Sequence, residues 1–482
     1  MADLQRMFIG GEWVASESGA TFEATSPATG EVIASVPEGT REDARRAIAA
    51  ANAAWGGWAS RSAFDRAAAM RRVASEIDRR RDELAHTLAL DQGKPLRAEA
   101  HDEVEELIRY FDMAAADATR MEGLLPPSMD ASKRVLLQRV PRGVVGVISP
   151  WNWPYTMPAE IVAPALACGN AVVWVPAPTT SVCAVRLAEC LVEADLPPGV
   201  FNLVTGPGPV VGDEVAANPG THAIGFIGSI ATGRRVAERA AGKELLLEMG
   251  GNGPLVVLED ADLDAAVAGT LVACFLNAGQ SCTAGELILV HEDVHDEYLS
   301  RLRAAIEKEI RVGDPFEDGT TMGPLNNAPV LDKTERHVRE ALEAGAELVC
   351  GGRRASELGS DLFYEPTVVD GVRPPMEIAR EETFGPVVPV ATIRSEADAI
   401  ETVNGSPYGL LSAVFTRDLA RGLRYAEAVR TGWVNVNEGT NYWESHLPFG
   451  GRSGSASGVG RVGGRFSMER LTELKTIVID MS

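Results

Sequence analysis

The chain has 482 residues, 45% of them hydrophobic and 23% charged, the balance of a folded globular protein with room for roughly two to four domains. Its 45 basic residues against 68 acidic ones leave a formal charge of −23. That field repels phosphate backbones and anionic lipid, so neither nucleic acid nor a membrane surface is expected as a partner.

Met1 to Phe8 carry neither the basic segment nor the apolar core of a secretory signal. Helical patterns then dominate the first third, over Arg41 to Ala54, Ser62 to Leu90 and Ala98 to Arg120, where apolar residues recur at three- and four-residue spacing. Val135 to Val140 reads as a strand. From Gly143 to Gly233 short apolar runs alternate with helical patterns, at Val144 to Ser149, Ala171 to Val175, Phe201 to Thr205 and Ala223 to Ile227. Such alternation predicts right-handed crossovers and a mostly parallel, Rossmann-like sheet. Ile161 to Val185 holds no charge, yet Pro164, Gly169, Asn170, Pro176 and Pro178 divide it into helix, strand and turn, so it reads as buried core and no transmembrane segment is expected.

A second alternating region runs from Leu255 to about Val436, with helices near Leu263 to Leu276, His295 to Glu309 and Asn327 to Ala344 and strands at Leu287 to His291 and Val387 to Ile393. Leu471 to Asp480 alternates like an exposed edge strand, which commonly pairs with a neighbouring subunit.

Cys282 lies in the glycine-flanked segment Asn277-Ala278-Gly279-Gln280-Ser281-Cys282-Thr283-Ala284-Gly285, and Glu248 precedes Gly250-Gly251 upstream. A cysteine nucleophile with a separate carboxylate to activate water would need this pairing, although a lone cysteine is more often a small buried hydrophobe. The other cysteines, Cys168, Cys183, Cys190, Cys274 and Cys350, form no Cys-x-x-Cys pair and have no histidine at ligand spacing; they suggest no zinc site or disulfide framework and fit a reducing cytoplasm. Two glycine-rich turns, Gly206 to Gly212 and Gly228 to Gly233, end predicted strands and open helices. Their free N–H groups would suit a pyrophosphate, or they are simply tight turns. Pro150-Trp151-Asn152 ends the first strand of the alternation, where an asparagine amide suits a developing oxyanion or an ordinary turn.

Pro150-Trp151-Asn152, Phe226-x-Gly228-Ser229, Leu247-Glu248-x-Gly250-Gly251, Gly279-Gln280-x-Cys282, Glu381-Glu382-x-Phe384-Gly385-Pro386-Val387 and Pro448-Phe449-Gly450-Gly451 resemble, in order, the signature blocks of the aldehyde dehydrogenase superfamily. The resemblance runs from about Phe8 to the C-terminal strand. It implies an α/β, aldehyde dehydrogenase-like fold: a Rossmann-like NAD(P)-binding domain (1–120 and 142–253), a second α/β catalytic domain (254–450), and small β oligomerisation strands (121–141 and 468–482) in a homodimer or homotetramer.

The same resemblance implies NAD(P)-dependent oxidation of a small aldehyde to the carboxylic acid. Cys282 would attack the carbonyl, Asn152 and the Cys282 backbone N–H would hold the oxyanion, and Glu248 would activate water against the thioester. Cofactor contacts would fall to Ile148, Ser149, Trp151, Val175, Gly208, Gly212, Phe226, Gly228, Ser229, Met249, Glu382 and Phe384. Aldehyde contacts would fall to Trp153, Thr156, Met157, Glu160, Ser281, Thr283 and Trp443; no metal is expected. The family's usual Lys-Pro-Ser-Glu, whose Lys and Glu grip the adenine ribose, is here Val175-Pro176-Ala177-Pro178, so both grips are missing. With no visible partner for a 2′-phosphate, NAD is expected, with NADP as the alternative. Arg452 to Gly458 is longer than the family's spacing after Gly451, and Val462 stands where many members have Glu.

If the segment after Pro154 is helical, Asn152, Thr156 and Glu160 share a face with Trp153 and Met157 beside it, and Glu160 would favour neutral or cationic aldehydes over anionic semialdehydes. Against this, Asn437-Glu438-Gly439 resembles some semialdehyde dehydrogenases. Tyr442 and Trp443 would add aromatic wall. His291-Glu292-x-x-His295 matches a zinc metalloprotease pattern, but the strand ending at His291 and the helix starting after it would spoil the ligand geometry. A non-catalytic protein on the same fold would lack one of Asn152, Glu248 or Cys282, and all three are present; acyl transfer to coenzyme A stays open beside hydrolysis.

Overall fold

The apolar runs after Gly143 pair as five parallel strands in a computed structural model that describes residues 3–482. Across the sheet these strands are Glu244–Met249, Ala223–Gly228, Val144–Ile148, Ala171–Val175 and Phe201–Leu203. Chain order runs outward from Val144–Ile148 in one direction, then resumes on its other side at Ala223–Gly228. The order therefore reverses between these two strands, and a crevice opens there beyond their carboxyl ends.

Two additions extend this sheet. Gly458–Val459 pairs antiparallel with Glu244–Met249, and the hairpin Met7–Ile9/Glu12–Val14 joins antiparallel at Phe201–Leu203. The hairpin turns at Gly10 and Gly11, whose φ values of 64° and 99° favour glycine. Sequence reading assigned the first third to helices and missed this hairpin and the strands Thr21–Thr25 and Val32–Pro37. The two hairpin strands hold three residues each, too short to show a period.

The predicted helices form, with one break. Capping boxes at Thr40/Asp43 and Ser62/Asp65 start Arg41–Ala59 and Ala63–Arg79. The pattern read as Ser62 to Leu90 stops at Arg80, and Arg81–Asp91 is a separate helix. At the break Arg80 bonds Glu83, three residues on, at 2.7 Å and Glu189 of another helix at 2.5 Å, and no glycine or proline marks the position in the sequence. Thr156–Cys168 is buried along its whole length and ends at Gly169, φ 98°. Among the described residues no helix is long and apolar enough to cross a membrane.

The second region forms a seven-stranded sheet centred on Pro254–Val257 and Leu287–His291, parallel except for Glu347–Cys350 at one edge. Lys133–Pro141 and Thr472–Asp480 make a separate antiparallel ribbon. Met1 and Ala2, included in the expected first domain, lie outside the described residues.

Candidate active site

Three loops converge on the crevice. Glu248 comes at the end of its strand, Asn152 from the turn after Val144–Ile148, and Cys282 from the loop after helix Leu263–Phe275. Close approach of the backbones sets the spacing. A Cβ on Gly279 would lie 2.1 Å from the Gly385 carbonyl, and one on Gly250 would lie 2.8 Å from both carboxylate oxygens of Glu382. Only glycine lets the cysteine loop and the Glu382 loop meet.

A buried hydrogen-bond network fixes the cysteine loop. Asn277 and Ala278 are left-handed, with φ of 50° and 53°. Glu99 accepts the Asn277 N–H at 3.0 and 3.1 Å, and Asn277 Nδ2 donates to the Asn152 carbonyl at 2.9 Å. One N–H of the Asn152 amide donates to the Gln280 carbonyl at 3.1 Å, and the other is free for a ligand. Beneath this turn Lys94 and Glu103 form an ion pair at 2.5 Å, each 1% exposed, and the Lys94 ammonium lies 3.7 Å from the centre of the Trp153 ring. Glu103 also accepts the N–H groups of Tyr155 and Thr156.

Cys282 and Glu248 sit where two cavities meet, each residue lining both. On one side Trp153, Met157, Glu160, Ser281, Thr283 and Trp443 form the walls, joined by Leu276, Asn441 and Phe449. Ser281 Oγ and Thr283 Oγ1 are 2.7 Å apart, and Thr283 also bonds Asn441, a neighbour that sequence reading missed because it lies far along the chain. Thr156 is a correction. The helix begins at Thr156, so Asn152 lies in a turn and the four-residue spacing does not carry over; Thr156 is buried against Glu103 instead. Glu160 is buried and accepts a hydrogen bond from Tyr110.

Trp151, Asn152, Gly228, Ser229, Glu382 and Phe384 line the other side, with Pro150, Gly250 and Lys333. Ser229 caps helix Ile230–Arg239, directing that helix's N-terminus into the crevice. Trp151 meets the Phe384 ring edge-on at 5.6 Å. Glu286 holds the Phe384 turn, accepting the Thr383 and Phe384 N–H groups at 2.8 Å each, while Phe384 adopts φ 61°.

Deeper positions support this wall. Phe226 and Met249 are corrections as contacts: both are buried, with the Phe226 ring under Gly228 and the Met249 sulfur under Gly233, where added Cβ atoms would collide with them. Val175 likewise faces the apolar layer, paired across the sheet with Ile148, and Ser149 is engaged by Trp174 Nε1 at 2.8 Å. Gly208 and Gly212 bound a turn after Phe201–Leu203; Gly208 borders open space, whereas a Cβ on Gly212 would touch Ile148 at 3.7 Å.

Burial shapes the electrostatics. Desolvation pushes the Glu248 carboxyl up to about 8, with the Cys282 thiol lowering it in part, and Glu248 Oε1 has no hydrogen-bond partner. Burial, with the Glu248 carboxylate next, pushes the Cys282 thiol well above its ordinary value. Glu382 is pushed up to about 8 by burial and the neighbouring Glu286.

The zinc pattern dissolves. His291 ends a strand with Nε2 at the Arg394 carbonyl, whereas His295 starts a helix with Nε2 at Asp370. Their rings serve separate partners.

Comparison with known proteins gives one answer. The model of the Aldehyde dehydrogenase family matches residues 13–477. The chain is 38% identical over 479 residues to succinate-semialdehyde dehydrogenase [NADP(+)] of Escherichia coli, covering 99% of this chain and 98% of that one. It is 39% identical over 481 residues to betaine aldehyde dehydrogenase of Bacillus subtilis, covering 98% and 97%. The crystal structure of succinate-semialdehyde dehydrogenase from Burkholderia pseudomallei superposes with a TM-score of 0.96 at 39% identity, covering 99% and 98%. That of betaine aldehyde dehydrogenase from Staphylococcus aureus in complex with NAD+ gives 0.96 at 34%, covering 99% and 95%. With its sheets, its paired cavities and its thiol and carboxylate at their junction, the chain belongs to the aldehyde dehydrogenase family.

Proposed function

We propose that this chain oxidises an aldehyde and water to a carboxylic acid, passing two electrons as hydride to NAD(P), with Cys282 as nucleophile and Glu248 as base. One observation carries the reading: Cys282 and Glu248 each line both cavities, so a carbonyl entering from one side and an oxidant from the other meet at the same sulfur.

The cofactor-side cavity fits a dinucleotide. It offers a helix N-terminus at Ser229, the half-buried Glu382 carboxyl for ribose hydroxyls, and the Trp151 and Phe384 rings for an apolar ring face. A nicotinamide held there supplies the hydride acceptor. NAD is the expected form, with NADP as the alternative.

The chain's own groups supply the rest. The Cys282 thiol gives its proton to a base as sulfur bonds the carbonyl carbon, and the free Asn152 N–H faces the oxygen that becomes negative. The adduct is a thiohemiacetal, and loss of its C–H hydrogen as hydride to the acceptor named above would leave a thioester; when water attacks that thioester, Glu248 takes the proton of water and the sulfur leaves with the electron pair of the C–S bond. On this reading 1–120 and 142–253 bind the cofactor, 254–450 complete the catalytic side, and 121–141 with 468–482 join copies into a cytoplasmic dimer or tetramer.

The test is reduced-nicotinamide absorbance with a panel of aliphatic, aromatic, amino and semialdehyde substrates. Cys282→Ala should abolish cofactor reduction. Glu248→Gln should release about one reduced cofactor per site and then stall at the thioester. Steady turnover by Cys282→Ala would overturn the assignment.

A further inference from the structure

The charged walls of the narrow substrate-side cavity are Glu160 and Glu248, with no lysine, arginine or histidine. Glu248 has a task in the reaction. Glu160 has none, yet it is buried, 2% exposed, in the second turn of a wholly buried helix.

Its surroundings lack a counter-ion. Tyr110 donates to Glu160 Oε1 at 2.5 Å, and among the described residues Glu160 makes no ion pair. The groups facing it are Tyr110 and Glu106 from helix His101–Ala118 and Glu248 across the cavity, none of them cationic. Lys94 is committed to Glu103. A buried carboxylate without a cation is costly, and burial accordingly holds the Glu160 carboxyl well above its ordinary range.

The other walls suit the missing charge. Trp443 and Phe449 present aromatic surfaces, with Trp443 5.9 Å from Phe449 and 6.3 Å from Tyr110. Ring faces attract cations, most strongly where water is excluded. A protonated primary amine would also donate N–H bonds to Glu160, which a quaternary ammonium cannot.

Building on the dehydrogenase reading above, we infer that this cavity selects an aldehyde bearing a protonated primary amine at its far end, with Glu160 as the ammonium acceptor and the Trp443 ring beside it. Anionic semialdehydes meet two carboxyl groups there and are disfavoured.

The experiment compares kcat/KM for 3-aminopropanal, butanal, betaine aldehyde and succinic semialdehyde in the wild type and in Glu160→Gln. 3-Aminopropanal should exceed butanal by about tenfold or more in the wild type, and the ratio should fall to near unity in the variant. Equal or faster use of butanal or succinic semialdehyde, or a preference that survives Glu160→Gln, would overturn the inference. Betaine aldehyde matching 3-aminopropanal would overturn the primary-amine assignment. Calorimetric binding of propylammonium to both proteins separates this inference from the dehydrogenase reading. Binding to the wild type and about tenfold less to Glu160→Gln upholds the site even where no aldehyde is oxidised, and equal binding or none sinks it.

Discussion

Asn277 Nδ2 donates to the backbone carbonyl of Asn152 at 2.9 Å, tying the loop that ends in Cys282 to the turn that carries the proposed oxyanion donor. The proposed nucleophile and oxyanion donor are thereby held as a single unit, and Glu99 anchors that unit from below. Asn277→Ala leaves buried carbonyls of Asn152 and Gln280 short of a donor and places alanine at φ 50°. The expected cost is about 2 kcal/mol or more of stability. A fall of about tenfold or more in kcat/KM is expected with it. In a double-mutant cycle with Asn152→Ala the losses should be less than additive, because both changes disable one donor; strict additivity would show that the tie does not position it.

Glu248 gives a pH signature. Its carboxyl is pushed up to about 8 by burial, and only the ionised form can take a proton from water. Thioester hydrolysis should therefore rise with pH through about 8 when observed in single turnover. The linkage runs the opposite way for stability: the folded chain keeps a proton that the unfolded chain gives up near its ordinary value of 4.5, so Glu248 costs stability increasingly as pH climbs towards 8. Glu248→Gln removes that cost. Its melting temperature relative to wild type should rise from about pH 6 to about pH 9, and a constant difference would show that Glu248 is ionised throughout.

The sequence exposed the chemistry of the site more fully than its framework. Cys282, Glu248, Asn152 and Glu382 stand in short glycine-bearing motifs because the loops must approach closely, as the contacts of Gly250 and Gly279 show. The strands Val387–Ile393 and Leu287–His291 and the helix His295–Glu309 form with their predicted bounds, the strands as short, nearly continuous apolar runs and the helix with its three- and four-residue spacing. What escaped depends on distant partners. Tyr110, Lys94, Glu103 and Asn441 reach the site from other elements, and no local pattern marks them. The Thr156 error has a local cause: a helical spacing was extended across a turn, whereas Met157 and Glu160, inside the helix and three residues apart, do line one cavity.

Cofactor choice should be weak. Val175 is buried in the apolar layer and Pro178 starts an exposed single turn, so neither offers the ribose a hydrogen bond or a 2′-phosphate a cation. Wild-type kcat/KM should favour NAD modestly, and a preference for NADP of about tenfold or more would contradict the reading. With the dinucleotide bound as proposed, Pro178→Glu would place a carboxylate beside the adenosine ribose and should shift the ratio towards NAD by about tenfold or more. An unchanged ratio would mean that residue 178 does not face the ribose.

In the two-stranded ribbon of Lys133–Pro141 with Thr472–Asp480, Leu124 pairs with Leu137 on the outer edge of the first strand, whereas Thr472–Asp480 has no strand paired on its outer edge among the described residues. Opposed pairs put Val478 beside Val135 and Thr476 beside Leu137 on one face, and Leu474 and Val478 are 54% and 60% exposed. Leu124, 63% exposed, continues this apolar surface next to Leu137, to which it is bridged. A lone ribbon with that surface is poorly stable, and a second copy laid along it would cover both edge and face. Leu474→Asp with Val478→Asp should therefore weaken self-association by about tenfold or more in sedimentation equilibrium, since each carboxylate would have to be buried unpaired. Wild-type protein that sediments as a monomer, or a double variant that assembles as wild type does, would place the contact elsewhere.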